Sequence, residues 1–315
     1  MNATDLPLLT ASRLRDARSC QRLHKFKYVD GYRPAEEAET LYFGKLVHVG
    51  LEEWWACPNP DQRLDAALAA MQAAGPSDEF DAARARAMLV GYDSRWHDQE
   101  LKVVGVEVEF KTELRNPETG AASRTWALAG KIDAIAELPD GRVVLVEHKT
   151  SSEDLSPGGS YWARLKLDGQ ISMYYEGARS LGLDVQGCIY DVLGKPAQRP
   201  LKVNQKRKVD ETPDEFYARV AEAIAVAPAE YYRRGEVVRL EDEMREAMAD
   251  VWQIGRMLHE NEARGFFPRY VESCFKYGRA CPFLPVCVGE ASLDSYHYRK
   301  AGDVHPELEG ANGAA

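Results

Sequence analysis

The chain has 315 residues, 45% of them hydrophobic, and a formal net charge of −10, a composition ordinary for a globular protein with a real core in one large domain or two smaller ones. No apolar run approaches the length that crosses a bilayer and no charged-then-apolar leader is visible, so a soluble, cytoplasmic protein without a membrane partner is expected. Six cysteines outside any secretory context argue against a disulfide framework and towards metal binding or buried thiols.

Residues 10–28 read as an amphipathic helix carrying Cys20, with Leu14, Ala17, Leu23 and Phe26 on its apolar side and Gly31 just past its end. A second helix covers Lys45 to Ala56, closed by Pro58 and Pro60, and holds His48. Alanine-rich helices follow at about 61–74 and 78–99, then a strand alternates from Val103 to Phe110. The stretch 125–150, TWALAGKIDAIAELPDGRVVLVEHKT, reads as a hairpin turning at Asp140-Gly141. A Ser/Gly/Pro loop at 151–160 leads to a long helix from Tyr161 to about Leu181, and Gln186 to Leu193 is a short apolar strand. Helix, three strands, helix and strand in that order make an α/β core. A basic loop at 195–213 precedes helices near 214–226 and 241–264, with Pro213 suited to a helix start. The last segment is rich in cysteine and ends in a tail, 301–315, expected to be disordered. No internal repeat is visible.

Chemistry concentrates on the hairpin. Residues two apart on a strand share a face, so Glu147 and Lys149 project together and Asp133 on the preceding strand can join them. Two carboxylates and a lysine suit a hard divalent cation with room for water and a phosphate oxygen, and phosphodiester hydrolysis is the natural use. Taken alone, the motif also fits a solvated hairpin face. Gln170 and Tyr174, four apart, share one face of the following helix. An imidazole from His48 added to carboxylates would shift metal preference from strict magnesium towards manganese. The negative net charge sits awkwardly with nucleic-acid binding, but basic residues cluster near Arg13 to Lys27 and again at Lys202, Lys206, Arg207 and Lys208, where a local phosphate track is expected.

The segments GKxVHxGLE, GKIDAIAE, VEHKTS and GQxxMYY, in that order, resemble the motifs of the PD-(D/E)XK nuclease superfamily in its RecB-type branch. That branch includes the nuclease domains of RecB and AddB, the CRISPR-associated spacer-processing nucleases and many phage exonucleases. The resemblance implies an α/β, restriction-endonuclease-like core with additional N- and C-terminal helices. It implies one nuclease domain over 1–300, with its core at about 40–195 and a helical, Cys-rich part at about 210–290 joined to Cys20. It further implies His48, Asp133, Glu147 and the backbone carbonyl of His148 as ligands of magnesium or manganese. Lys149 would orient the attacking water, and Gln170 and Tyr174 would support the site or contact DNA. Glu109 is a candidate outer carboxylate, although its strand also reads as plain half-buried structure.

One N-terminal cysteine, Cys20, with Cys274, Cys281 and Cys287 resembles the iron–sulfur members of the branch, which implies a four-iron, four-sulfur cluster. Structural zinc and unliganded thiols are the alternatives, but zinc sites commonly begin with a close CxxC pair, absent here. The pattern departs from the family's in one interval: six residues separate Cys274 from Cys281 where two are usual. Cys57 and Cys188 are left over, and Cys188 reads as a buried hydrophobe. The expected activity is a metal-dependent DNA exonuclease in recombination, repair or phage DNA processing, acting on DNA ends or single strands, with a recombinase as a candidate partner. The alternatives are a catalytically inactive module that holds DNA ends or a recombinase, and a structure-specific endonuclease on the same fold.

Overall fold

A computed structural model describes residues 6–308 apart from 37–38, 77, 204–206 and 277. In chain order the elements are β1 (Leu8–Leu9), α1 (Ala11–Ser19), α2 (Gln21–His24), a π-helical turn (Lys25–Val29), β2 (Tyr32–Pro34), α3 (Glu39–Ala56), α4 (Arg63–Ala73) and α5 (Glu79–Trp96). Next come β3 (Lys102–Arg115), β4 (Ala122–Glu137), β5 (Val143–Ser151), α6 (Ser160–Leu165), α7 (Gly169–Ser180) and β6 (Gly187–Gly194). The chain continues with α8 (Pro213–Val226), α9 (Pro228–Tyr231), β7 (Tyr232–Val237) and α10 (Glu241–Arg264), then β8 (Phe275–Lys276), β9 (Arg279–Ala280), α11 (Leu284–Cys287) and β10 (Tyr298–Lys300).

The alternating segment 122–151 forms the expected hairpin, turned by Gly141 at φ 86°, a conformation glycine adopts without a Cβ clash. β3 runs antiparallel along one edge of β4. The other edge of β4 is shared: β1 pairs with it in parallel at Ala127 and Leu128, and β5 pairs antiparallel from Ala134 to Glu137. β6 lies parallel beside β5 and β7 antiparallel beside β6. The pairing of β4 with β5 stops at Ala134↔Val146, one residue short of Asp133 and Glu147, so the two strands part where the acidic residues begin. The strand fork creates the space for a site.

Apolar residues of both sheet faces are covered by helices, as a sheet hydrophobic on two sides requires. One layer packs Leu14, Trp126, Leu145, Ile171, Cys188 and Val251 beneath α1, α7 and α10. The other packs α3, α5 and α8 through Val47, Trp54, Trp55, Tyr92 and Phe216. Trp54 and Trp55 are each 1% exposed. A buried side chain of that size class contributes roughly 1.5–3 kcal/mol, which fixes α3, and with it His48, on the sheet. A third, small cluster joins Phe26, Phe283 and Tyr298 beside Cys281 and Cys287.

The α/β expectation holds, and Pro213 does begin α8, inside a capping box made by Thr212 and Glu215. Two predicted helices are broken. Residues 10–28 do not form one helix, because Cys20 is extended (φ −163°, ψ 125°) and the C-terminal segment supplies the missing bonds: the Pro268 carbonyl accepts from Arg22 N–H at 3.1 Å. The stretch 161–181 is likewise split, with extended Asp168 capping α7 by accepting from the Gln170 N–H. β7 completes the sheet although no strand is expected there. The described chain continues past residue 301: His305 is buried and Glu307 accepts from Thr10 Oγ1 at 2.6 Å. Among the described residues no helix is long and apolar enough to cross a membrane.

Candidate active site

The fork between β4 and β5 gathers the predicted residues. The backbone N–H of His148, freed from pairing with β4, donates to Asp133 Oδ2 at 2.8 Å. Across the opening, His48 Nε2 from α3 lies 3.3 Å from Asp133 Oδ1 and 3.7 Å from Glu107 Oε1. One ligand atom from each of His48, Glu107 and Asp133 falls within 4.8 Å of the others, the one such trio among the described residues.

Glu147 sits at the floor, its side chain 3% exposed. Its Oε1 accepts from Lys149 Nζ and from Gln170 Nε2 at 2.8 Å, while its Oε2 is buried without a partner. A buried carboxylate oxygen left unbonded is costly, and a cation would satisfy it. Lys149 Nζ also donates to Gln170 Oε1 at 3.0 Å, and Gln170 Nε2 donates to Tyr174 Oη at 2.8 Å. The QxxxY pair is thus a brace under the lysine and the glutamate. Gly130 makes room for it: a Cβ there would meet the Phe110 ring at 2.7 Å and the Tyr174 ring at 3.1 Å.

The two acids are driven apart in acidity. Burial lifts the Glu147 carboxyl and the Asp133 charge lifts it further, to about 7, against the pull of Lys149. Burial also pushes Asp133 up, but His48, His148 and Lys149 together outweigh it and hold the group at about 2. The same partners act on the bases. Burial opposes the charge on His48 and on Lys149, yet Asp133 and Glu107 raise the imidazole, and Glu147 and Asp133 raise the ammonium. Shifts of this kind occur at catalytic carboxylate pairs and also in structural ion-pair networks.

Several residues were not legible in the sequence. The carboxylate beside His48 and Asp133 is Glu107, not Glu109. Glu107 lies at the β3 position opposite Asp133, has φ 50° and is paired with Lys131, whereas Glu109 is registered against Lys131. Alternation marks both glutamates equally, and only the β3–β4 register separates them. On the far face of β5, the His148 ring stands 3.4 Å from Asp191, which also accepts from Tyr92 and, at 3.2 Å, from Arg234. This buried network backs the strand that carries Glu147 and Lys149.

The cysteines converge as well. Tyr270 N–H points at Cys20 Sγ, 3.5 Å away, and the Cys281 N–H donates to the Cys274 carbonyl at 2.7 Å. Within the six-residue interval Phe275–Lys276 pairs antiparallel with Arg279–Ala280, so Cys281 returns beside Cys274. Burial raises the thiols of Cys281 and Cys287, and each is raised further by Cys20 and Cys274. No three of the four sulfurs lie within 4.8 Å of one another. Cys188 is buried in the sheet, as expected. In the basic loop, Lys202 pairs with Asp210 at 3.1 Å and Arg207 with Glu215; Lys208 is exposed and Lys206 lies outside the described residues.

A family model described as the PD-(D/E)XK nuclease superfamily matches residues 8–288, a span that includes both carboxylates, the lysine and all four converging cysteines. The chain belongs to this superfamily. Its mixed sheet with flanking helices is the superfamily's restriction-endonuclease-like fold. No curated protein matches the chain. Among solved structures, SSO0001 shares 14% identity over 91% of this chain and 89% of its own, at a TM-score of 0.42. A protein from Eubacterium rectale assigned provisionally as an exonuclease shares 10% over 91% and 90%, at a TM-score of 0.45.

Proposed function

We propose that the chain is a metal-dependent deoxyribonuclease that removes nucleotides from DNA ends, of the RecB type that carries an iron–sulfur cluster. The observation that carries the reading is the unbonded, buried Oε2 of Glu147 beside a charged Lys149 and across the fork from Asp133 and His48. Magnesium or manganese held by His48, Asp133, Glu147 and the His148 carbonyl would supply Lewis-acid stabilisation of the phosphate. Glu107 is positioned to share in that ligation. Lys149, kept protonated by Glu147 and aimed by Gln170, orients the attacking water and offsets charge developing on the phosphate. Tyr174 holds Gln170 in the rotamer that serves both partners.

Cys20, Cys274, Cys281 and Cys287 are proposed as the cluster ligands. The reading is supported by the order of the four cysteines along the chain and by the approach of Cys20 and Cys274 to Cys281 and Cys287, whose thiols they raise; a cluster would give each thiolate its own iron. We further propose that residues 1–300 act as one nuclease domain and that Lys202, Lys206, Arg207 and Lys208 add outer phosphate contacts, at the expense of the existing pairs with Asp210 and Glu215. Similarity in motifs to RecB-type enzymes supports a role in recombination, repair or phage DNA processing, alongside a recombinase. Digestion of end-labelled linear and covalently closed circular DNA with magnesium or manganese tests the activity. Label released from the linear DNA with the circle intact is expected; a cut circle assigns an endonuclease, and no cut in either removes the reading.

A further inference from the structure

Lys131 of β4 stands two residues before Asp133, on the same side of the sheet, and its ammonium pairs with Glu107 Oε2. We propose that this lysine is a built-in counter-ion in the position of a second divalent cation, so that the centre takes up one metal and no more. The proposal rests on the metal-dependent reading of the site and adds to it the number of ions and the residue that limits it.

The backbone of β3 is the first support. Glu107 has φ 50°, the one positive φ outside glycine among the described residues, in a region that a residue with a Cβ rarely adopts. A register shift at Val103/Gly105 precedes it, and such irregularities re-aim side chains next to active sites. The two oxygens of one carboxylate are thereby divided. Oε1 lies 3.7 Å from His48 Nε2, towards Asp133, while Oε2 is taken by Lys131. The side chains of Glu107 and Lys131 are only 15% and 22% exposed, and a partly buried pair is little screened by salt. Oε1 is left for a metal at His48 and Asp133. A further cation sharing the carboxylate through Oε2 would meet the ammonium.

The charge around Lys131 is the second support. Glu109 stands opposite it in the β3–β4 register, and Glu52 follows His48 by four residues on α3 and so shares its face. Burial opposes the charge on Lys131, but Glu107, Glu52 and Glu109 raise it. Burial and Glu107 in turn raise the Glu52 carboxyl, against the pull of Lys131. Without the ammonium, Glu52, Glu107 and Glu109 would be left as a group of hard oxygen donors beside the first metal, the type that magnesium and manganese favour. Lys149 cannot take over this role, because Glu147 and Gln170 hold it.

The test counts bound metal with no DNA present. Manganese is titrated into the full-length protein, the free ion is followed by its paramagnetic resonance signal, and the bound number is read at saturation. The expected result is about one equivalent for the parent and about two for Lys131→Met and Lys131→Gln, with Lys131→Arg, which keeps the charge, at the parent value. Lys102→Met removes a lysine paired with Glu137 at 3.0 Å, an equal charge change on an exposed part of the same sheet, and should leave the number unaltered. Glu107→Gln added to Lys131→Met should return it to the parent value. Manganese should also raise the melting temperature of Lys131→Met by more than that of Lys102→Met, since the second ion binds only the folded chain. Melting curves in EDTA show that each variant is folded before it is counted. The proposal is overturned by a second equivalent in the parent, by a second equivalent in Lys102→Met, or by none in either Lys131→Met or Lys131→Gln. A parent that binds no manganese removes the metal centre and the proposal together; one equivalent in the parent and in both neutral Lys131 variants removes the proposal and keeps the centre.

Discussion

Glu147 and Asp133 differ by one methylene, yet burial and the Asp133 charge raise the first while His48, His148 and Lys149 hold the second down, so the difference is environmental. The folded chain holds Glu147 protonated up to about 7, against 4.5 ordinarily. Between those values the folded state binds a proton that the unfolded chain has released, so stability falls as pH rises through that window. At about 1.4 kcal/mol per unit the loss is about 3 kcal/mol. Asp133 acts with the opposite sign: its contribution is present above 3.8 and is lost as pH falls towards about 2. Metal-free protein should therefore melt at a lower temperature at pH 7.5 than at pH 5, and Glu147→Gln should remove most of that difference. A flat profile in the parent protein would show that Glu147 titrates normally. Added manganese should restore the melting temperature above pH 7, because a cation binds the ionised carboxylate and stabilises the state that holds it. Under the same assignment, Glu147→Gln and Lys149→Ala should each lower cleavage by roughly 10²–10³-fold or more. Near-parent activity in either would dismiss the site. His48→Ala should reduce the advantage of manganese over magnesium, measured as the ratio of cleavage rates.

At the scale of elements, the decisive feature is that β4 serves two partners along one edge, β1 as far as Leu128 and β5 from Ala134 onward, and pairs with neither at Asp133. The brace beneath the fork depends on α7 lying close to β4, and Gly130 permits it. Gly130→Ala would drive a methyl into the Phe110 and Tyr174 rings, at a cost of roughly 1–3 kcal/mol. The expected outcome is a lower denaturant midpoint together with slower cleavage, since Tyr174 positions Gln170. Unchanged stability would mean that α7 shifts freely and that the brace does not locate Lys149. α7 begins where it does because Asp168 caps it, and Tyr190 from β6 donates to the same carboxylate at 3.1 Å. The brace is thereby tied to the sheet at its start as well as along its length.

Across the whole molecule, the N-terminal helix is held by the far end of the chain. Arg13 is buried between His24 at 3.0 Å and Glu262 at 3.3 Å, Ser273 donates to the Ser19 carbonyl at 2.5 Å, and Glu307 accepts from Thr10. Cys20 and its three partners sit at this junction. A ligand group binding all four thiolates would restrain a very long loop of the unfolded chain, for which the chain-entropy treatment of cross-links gives several kcal/mol. Protein purified without air should contain iron and absorb broadly in the visible region. Replacing any of Cys20, Cys274, Cys281 or Cys287 by serine should lose the iron and lower the melting temperature by several degrees, whereas Cys57→Ser should do neither. Zinc without iron would assign a zinc staple instead.

The sequence by itself determined the hairpin and the side on which Glu147 and Lys149 project, because alternation along a strand is a local property. It determined the facing of Gln170 and Tyr174 for the same reason, through the helical repeat. Motif order was enough to reach the superfamily. What it could not determine was which distant groups meet. Glu107 and Glu109 are equivalent in pattern, and the register of β3 against β4 chose between them. The break at Cys20 comes with hydrogen bonds to a segment some 250 residues away, whereas Cys281 returns beside Cys274 through the short β8–β9 pairing. Local periodicity sets the direction of each side chain; its neighbours across elements follow from packing and pairing energies summed over the whole fold, and only the tertiary structure fixes those.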